Sequence, residues 1–161
     1  MDLYIKQRVF SFPDRFTVYD ENGNDRYYVE GEVFSFGKKL HVYDLLGNEV
    51  VFVSQKVFSF FPHYDVRING LDAVAIEKRY TFFYPSYSVR LANGNEFTVE
   101  GDFFDHDYMI KDGGRCFATV RKEWFTWGDT YRISITDGGD PLLALSIVLV
   151  IDACLEAQNN G

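Results

Sequence analysis

The sequence of 161 residues is poor in positive charge and in cysteine. It has 16 Lys and Arg against 24 Asp and Glu, and its net charge of -8 lacks the basic footprint that nucleic acid or an anionic membrane attracts. Cys116 and Cys154 form neither a metal nor a redox spacing, and Cys154 lies in an apolar run where a buried thiol is expected. We therefore expect no nucleic-acid partner and a reducing, cytoplasmic location.

Apolar runs long enough to cross a membrane are also missing. The first ten residues contain Asp2, Lys6 and Arg8 and no apolar segment of the kind found in signal peptides. The longest apolar run, about ten residues over 142–151, is shorter than the roughly 20 that span a bilayer. Asp140-Pro141 before it is typical of a helix start, which predicts a helix over 141–157. Because this helix is apolar on every side, it must be surrounded by protein.

Aromatic residues are plentiful, with 16 Phe and 11 Tyr, and they occur in a repeat. The tetrapeptide Val-Phe-Ser-Phe begins at Val9, Val33 and Val57, at a constant interval of 24 residues. Val-Tyr-Asp over 18–20 recurs over 42–44, and Gly23-Asn24 recurs at the same offset. The repeated unit is predicted to be a β-hairpin with Gly-Asn at its turn. The tetrapeptide is expected to line the inside of the barrel that these hairpins form.

Turn signals divide the first 140 residues into twelve predicted strands. Their spans are 3–12, 15–20, 26–36, 39–44, 49–60, 64–68, 73–83, 87–92, 96–104, 107–111, 116–127 and 130–136. Open sheets rarely exceed about ten strands, so we expect a closed antiparallel barrel over 3–136 with the hydrophobic helix inside it. An empty barrel would instead suit a lipocalin-like carrier of small ligands, but the helix favours a filled interior.

The order of these segments resembles the LURP-one-related family. The resemblance rests on five segments, which are Ile5–Phe12, Phe16–Asp20, Tyr27–Gly31, Asp129–Ile133 and the helix ending in Ile151-Asp152. It implies one domain over 1–161 with the tubby C-terminal-like fold, a twelve-stranded barrel around a central hydrophobic helix, shared with tubby proteins and phospholipid scramblases. It implies no common activity, catalytic residue or cofactor. We therefore expect a non-enzymatic binding or adaptor domain whose partner is a protein or a membrane phospholipid headgroup.

The tubby relationship directs attention to surface Lys and Arg, through which tubby domains bind phosphoinositides. Three basic pairs are weak candidates for lipid binding, and solvated strand ends are the ordinary explanation for them: Lys38, Lys39, Lys78, Arg79, Arg121 and Lys122. Scramblases carry an acidic calcium segment before their last helix. Here that position holds only Asp137 and Asp140, fewer than the six to eight oxygens that calcium prefers.

Other titratable residues give weaker indications. The densest acidic cluster, Asp102, Asp105, Asp107 and Asp112, could hold a metal or act in acid–base catalysis, but a solvated hairpin tip is the simpler explanation. His41, His63 and His106 are expected at the surface, and Trp124 and Trp127 are expected to pack within a strand. Asp152 needs a hydrogen-bonding partner at the barrel mouth, where it would fix the depth of the helix. With no catalytic constellation, we do not expect an enzyme.

Overall fold

The computed structural model describes residues 1–6, 15–32, 35–80, 84–123 and 130–159, and within these ranges the chain forms twelve strands and one helix. The strands are β1 (Asp2–Lys6), β2 (Arg15–Asp20), β3 (Asp25–Gly31), β4 (Lys39–Tyr43), β5 (Glu49–Gln55), β6 (His63–Ile68), β7 (Leu71–Tyr80), β8 (Pro85–Leu91), β9 (Glu96–Asp102), β10 (Asp107–Asp112), β11 (Arg115–Glu123) and β12 (Thr130–Ile135). Each strand pairs antiparallel with its neighbour in sequence, and β12 returns to pair with β1. The predicted closed twelve-stranded barrel is confirmed.

Side chains alternate between the interior and the outer face along each strand. On β5, Val51 and Val53 are fully buried, whereas Phe52 between them lies on the outer face. Where the barrel closes, Leu3 of β1 pairs with Ile133 of β12, and both point inward. Valine and isoleucine dominate these inward positions, because β-branched side chains suit a pleated surface that packs against a helix.

The helix α1 (Pro141–Asn159) runs through the barrel. Every residue from 143 to 151 is buried, so the helix is enclosed on all sides. Asp140 caps its start by accepting a hydrogen bond from the Leu142 N–H at 2.9 Å, and the Ser146 hydroxyl donates to the Leu142 carbonyl at 2.6 Å. The helix is long and apolar enough to cross a bilayer, but 67% of that stretch is buried within the protein. Its role is that of a core helix.

The sequence repeat is reproduced as two nearly identical turns. Asp20 Oδ1 accepts hydrogen bonds from the N–H groups of Asn22 and Asn24, each at 2.9 Å. Asp44 Oδ1 does the same for Leu46 and Asn48, again at 2.9 Å. The glycine in each turn has a positive φ, 79° at Gly23 and 84° at Gly47, as Gly-Asn turns require. The prediction that the repeated unit is a hairpin is therefore correct.

Where the Val-Phe-Ser-Phe tetrapeptide is described, at residues 35–36 and 57–60, it lies outside the barrel wall, and the prediction that it lines the interior is wrong there. The copy that begins at Val57 forms the connection between β5 and β6, and Phe36 of the preceding copy lies between β3 and β4. The serines explain this, since the Ser35 hydroxyl donates to the Gly37 carbonyl at 2.6 Å and the Ser59 hydroxyl to the Phe61 carbonyl at 2.7 Å. These bonds turn the chain where a strand would need it extended. The copy over 9–12 lies outside the described residues, as do Trp124 and Trp127.

Two predicted strands are consequently too long. The strands expected to reach residues 36 and 60 end at residues 31 and 55 instead. The strands expected to reach residues 12, 83 and 127 are described as far as residues 6, 80 and 123, and the rest of each predicted span lies outside the described residues. The alternation of large side chains persists beyond the last ladder hydrogen bond, so a pattern of period two cannot mark where pairing stops. The other strand ends agree with the prediction to within two residues.

The buried helix can be tested by placing a charge in it. Leu145→Asp puts a carboxylate at a fully buried position, so we expect a loss of several kcal/mol or complete unfolding. Ala157→Asp adds the same charge at an exposed position of the same helix, and its unfolding free energy should stay within about 0.5 kcal/mol of the parent. Urea unfolding followed by circular dichroism would measure both. A cooperative transition of Leu145→Asp at the parent's midpoint would contradict the enclosed helix.

Candidate functional site

The two ends of the barrel differ in character. Connections that follow even-numbered strands lie at one end, which we call the turn end; connections that follow odd-numbered strands lie at the other, which we call the loop end. The helix enters at the turn end after β12. Its last turns emerge at the loop end, where Lys38 of the β3–β4 connection contacts Glu156 at 2.9 Å.

Exposed aromatic side chains gather at the loop end. Phe58 and Phe60 are 90% and 94% exposed, values that are unusual for phenylalanine in a folded protein. They belong to a group of exposed aromatic residues that we call the aromatic rim: Phe36, Phe58, Phe60, Tyr80, Tyr84 and Phe104. The rim comes from the β3–β4, β5–β6, β7–β8 and β9–β10 connections and the end of β7. An exposed apolar patch of this kind typically marks an interaction site.

The connections that carry the rim pack against one another. The rings of Phe36 and Phe58 lie 6.0 Å apart across the β3–β4 and β5–β6 connections, and the Phe61 ring lies 6.0 Å from that of Tyr80. Gly37 allows the first contact, because a Cβ there would lie 2.7 Å from Val57 Cγ2. The Gln55 side chain accepts a hydrogen bond from the Lys38 N–H at 3.0 Å. The rim is therefore held in place by specific contacts.

The three basic pairs also lie at the loop end, but they do not form one cationic patch. Lys38 is paired with Glu156, Arg79 Nε lies 3.3 Å from Glu77, and Arg121 Nε lies 3.8 Å from Asp107. Lys39 and Lys122 are half-buried at the first residue of β4 and near the end of β11. Lys78 is only 2% exposed and points into the barrel, so the prediction that it is a surface residue is wrong. Lys78 occupies the same inward-facing side of β7 as Val74 and Ile76. Because lysine is normally a surface residue, the sequence pattern did not indicate this.

The acidic candidates are divided between the two ends of the barrel. Asp102, Asp105 and Asp107 surround the β9–β10 connection at the loop end, where Asp102 accepts a hydrogen bond from the Asp105 N–H at 3.1 Å. Asp112 lies at the turn end, 4.0 Å from Arg115. Within the described residues, no three acidic, histidine or cysteine side chains are grouped closely enough to hold a metal ion. The hairpin-tip interpretation of Asp105 and Asp107 agrees with their exposure.

His106, in the same connection, is buried, and the expectation of a surface histidine is wrong for it. It is 5% exposed, has a φ of 49°, and stacks on the Tyr131 ring at 4.3 Å between centroids. Its Nε2 lies 3.3 Å from Asp152 Oδ1. The positive φ at the tip turns this side chain back over the barrel mouth, which a sequence of three consecutive polar residues does not reveal. His41 and His63 are half-buried on the outer face, each beside two carboxylates.

Asp152 finds the partners that a carboxylate on this helix requires. The Tyr131 hydroxyl donates to its Oδ2, and His106 approaches its Oδ1. Asp152 is thereby tied to β12 and to the β9–β10 connection, while Glu156, one turn further along the helix, is tied to Lys38 of the β3–β4 connection. These contacts agree with the expectation that Asp152 fixes the depth of the helix. They also fix its rotation.

Four tyrosines point into the barrel near the loop end and hold their protons strongly. Burial raises the pKa of Tyr108 and Tyr131 well above 10, and the nearby Asp152 carboxylate raises both further. Burial is also the main reason that the pKa values of Tyr64 and Tyr87 are raised, with the Cys154 thiol adding to the effect. The Cys154 pKa is itself raised by burial, so this thiol is protonated and unreactive at neutral pH, as predicted for a buried cysteine.

A closed twelve-stranded antiparallel barrel threaded by a C-terminal hydrophobic helix defines this chain as a helix-filled barrel protein. The sequence matches the LURP-one-related family over residues 1–152, and the chain belongs to that family. It is 32% identical over 155 residues to the uncharacterized protein YxjI of Bacillus subtilis, covering 96% of this chain and 94% of that one. Its fold is similar to that of the Arabidopsis thaliana protein AT5G01750, with a TM-score of 0.68 at 17% identity over 95% of this chain and 90% of that one.

The Asp152 anchor can be measured with a double-mutant cycle. Asp152→Asn and Tyr131→Phe remove the two sides of one charge-assisted hydrogen bond, so we expect them to be non-additive by about 1–3 kcal/mol in urea unfolding. The ion pair between Arg67 and Asp72 has similar chemistry but is exposed, and its cycle should give at most about 1 kcal/mol. Additivity at Asp152 within about 0.5 kcal/mol would contradict the anchor.

The buried tyrosines predict a loss of stability in alkali. Below pH 10, the ordinary tyrosine pKa, the folded and the unfolded protein both keep their phenolic protons. The contribution of these tyrosines to the free energy of unfolding is then fully present. Above this pH the unfolded state releases protons that the folded state retains, so stability should fall by up to about 1.4 kcal/mol per pH unit for each such tyrosine. Replacing Tyr64 and Tyr87 by Phe should make this fall less steep. Denaturant unfolding at successive pH values tests this, and equal slopes for parent and variant would contradict it.

Proposed function

We propose that this chain is a non-enzymatic binding domain that attaches to the surface of a phospholipid membrane through its aromatic rim. The observation that carries the proposal is the near-complete exposure of Phe58 and Phe60 on a connection whose backbone is held by its own hydrogen bonds. Transferring a phenylalanine side chain from water to an apolar environment releases about 1.5–3 kcal/mol. A protein that leaves these rings in water forgoes that energy until it meets a partner.

The shape of the rim favours a membrane over a protein groove. Its side chains stand on four connections at one end of the barrel, and the two most exposed, Phe58 and Phe60, share one of them. A bilayer interface accepts such protruding side chains without requiring a matched surface. A protein partner would need a complementary pocket for each of them.

Charge around the rim supports attachment by apolar insertion. The basic pairs border the rim, yet Lys38, Arg79 and Arg121 are each paired with an acidic residue. With a net charge of -8, long-range attraction to anionic lipid is weak. Binding should therefore depend on the phenylalanines and little on anionic lipid or salt. The cytoplasmic location expected for this chain would place it at an inner membrane leaflet.

The barrel interior argues against the alternative of a small-ligand carrier. A lipocalin-like carrier needs an open interior, and here helix α1 occupies the axis of the barrel with residues 143 to 151 buried. A non-enzymatic role is also supported by the protonated state of Cys154 and the protonated phenols around it, which leave these groups without an activated nucleophile.

Vesicle flotation tests the proposed function. The parent protein should float with phosphatidylcholine vesicles, and the double variant Phe58→Ser/Phe60→Ser should lose at least about tenfold in partitioning, since 1.4 kcal/mol corresponds to a factor of ten. Both side chains are exposed, so the variant should fold normally. Leu46→Ser is the matched control, because Leu46 is 88% exposed at the turn end and its loss should leave flotation unchanged.

Three results would contradict membrane attachment. The first is a parent protein that stays with the soluble fraction. The second is equal flotation of the parent and the rim variant. The third is flotation that appears only with anionic lipid and disappears in high salt, which would place the contact on the basic residues. Rim-dependent capture of a protein by a chain that does not float would replace the membrane with a protein partner.

A further inference from the structure

Lys78 occupies an unusual place for a lysine. It lies on β7 directly opposite Tyr87 of β8, its side chain points into the barrel, and it is 2% exposed. Its backbone N–H donates to the Pro62 carbonyl at 2.9 Å, which fixes the end of β7 against the β5–β6 connection. Burying an ammonium group is costly unless an anion or several acceptors surround it.

The side chains around Lys78 are hydrogen-bond donors. Tyr87 is its direct partner across the strands, and Tyr64 pairs with Ile76, two residues away on the same inward face. Cys154 on the helix interacts with Lys78 and with both tyrosines closely enough for each to affect its pKa. Because the pKa values of Tyr64, Tyr87 and Cys154 are raised, all three keep their protons at neutral pH. The Tyr87 hydroxyl is buried and, the Cys154 thiol aside, has no hydrogen-bond partner among the described residues.

The carboxylates near Lys78 are engaged elsewhere. Glu77, the adjacent residue, points outward and contacts His63 and Arg79. Of the two acidic residues on this part of the helix, Glu156 is paired with Lys38, and Asp152 is bonded to Tyr131 and approached by His106. Among the described residues, no carboxylate oxygen lies within 4.0 Å of the Lys78 ammonium, whose nearest recorded contact is the Tyr80 ring at 5.3 Å. The group therefore combines a buried positive charge with several protons to donate and no built-in anion.

We propose that Lys78, Tyr64, Tyr87 and Cys154 form a binding site for a small oxyanion, a phosphate or carboxylate group. An oxyanion would accept hydrogen bonds from the ammonium and the two phenols and would neutralise the buried charge. Lys78 lies two residues before the loop end of β7, and its Nζ faces the ring of Tyr80, a rim residue that is 59% exposed, so the oxyanion would reach the site from the loop end. It lies inside the barrel and does not depend on attachment through the rim.

Thermal unfolding with inorganic phosphate as the probe tests the site, with chloride at matched ionic strength as the reference. Phosphate at about one hundred times its Kd should raise the parent's Tm by about 5 °C, and the shift should saturate. Lys78→Met keeps an apolar stem of similar length and should abolish the saturable shift. Arg79→Met removes a positive charge from the next residue, on the outer face, and should leave the shift intact.

Two further measurements keep the result interpretable. Tyr87→Phe removes only one hydroxyl, so it should fold even where Lys78→Met does not, and it should weaken phosphate binding by about tenfold. Acetate and dihexanoyl phosphatidic acid identify the source of the oxyanion, since a lower Kd for acetate indicates a carboxylate ligand, one for the lipid a headgroup, and one for phosphate the free ion. A saturable shift that survives in Lys78→Met, or no saturable shift with any of the three probes, would overturn the site.

Discussion

Enclosure of the C-terminal helix is the constraint on which the rest of the structure depends. A helix that is apolar around its whole circumference cannot lie on a surface, because each exposed aliphatic side chain would forgo about 2 kcal/mol. The solution in this chain is a sheet of twelve strands that closes by pairing β1 with β12. The wall then presents valine and isoleucine to the helix from every direction. Without the other, the helix and the wall would each expose their apolar side chains to water.

The direction of the helix explains why the two ends of the barrel differ. Its first turn needs only an Asp140 cap and tight hairpins around it. Its last turns carry Asp152, Cys154 and Glu156, and each meets a polar group of a different part of the wall. Polar side chains inside a barrel are tolerated where they can be satisfied, which is near an opening. The polar side chains at the end of the helix and their partners on the wall are therefore concentrated at the loop end, together with the aromatic rim.

The sequence was sufficient to predict the barrel, its closure and the central helix, because each rests on a strong local signal. Gly-Asn turns mark the hairpins, and Asp140-Pro141 marks the helix start. The aromatic rim and the cluster around Lys78 could not be predicted from the sequence, for physical reasons. A hydroxyl that bonds to a carbonyl two residues on, as at Ser59, converts an alternating pattern from strand to turn without changing its appearance. Lys78 is buried because of its register on β7, and His106 is buried because of its positive φ. Neither cause can be read from the composition.

The separation between wall and rim has a consequence for how such a protein can change. Residues such as Val53 and Leu145 are constrained on all sides, and a substitution there threatens the whole fold. Phe58 and Phe60 make few contacts that the barrel needs, so substitutions there are nearly neutral for folding. Selection, or a protein engineer, can therefore exchange the β5–β6 connection for another sequence while keeping the barrel. The architecture is a scaffold whose proposed recognition surface is free to diversify.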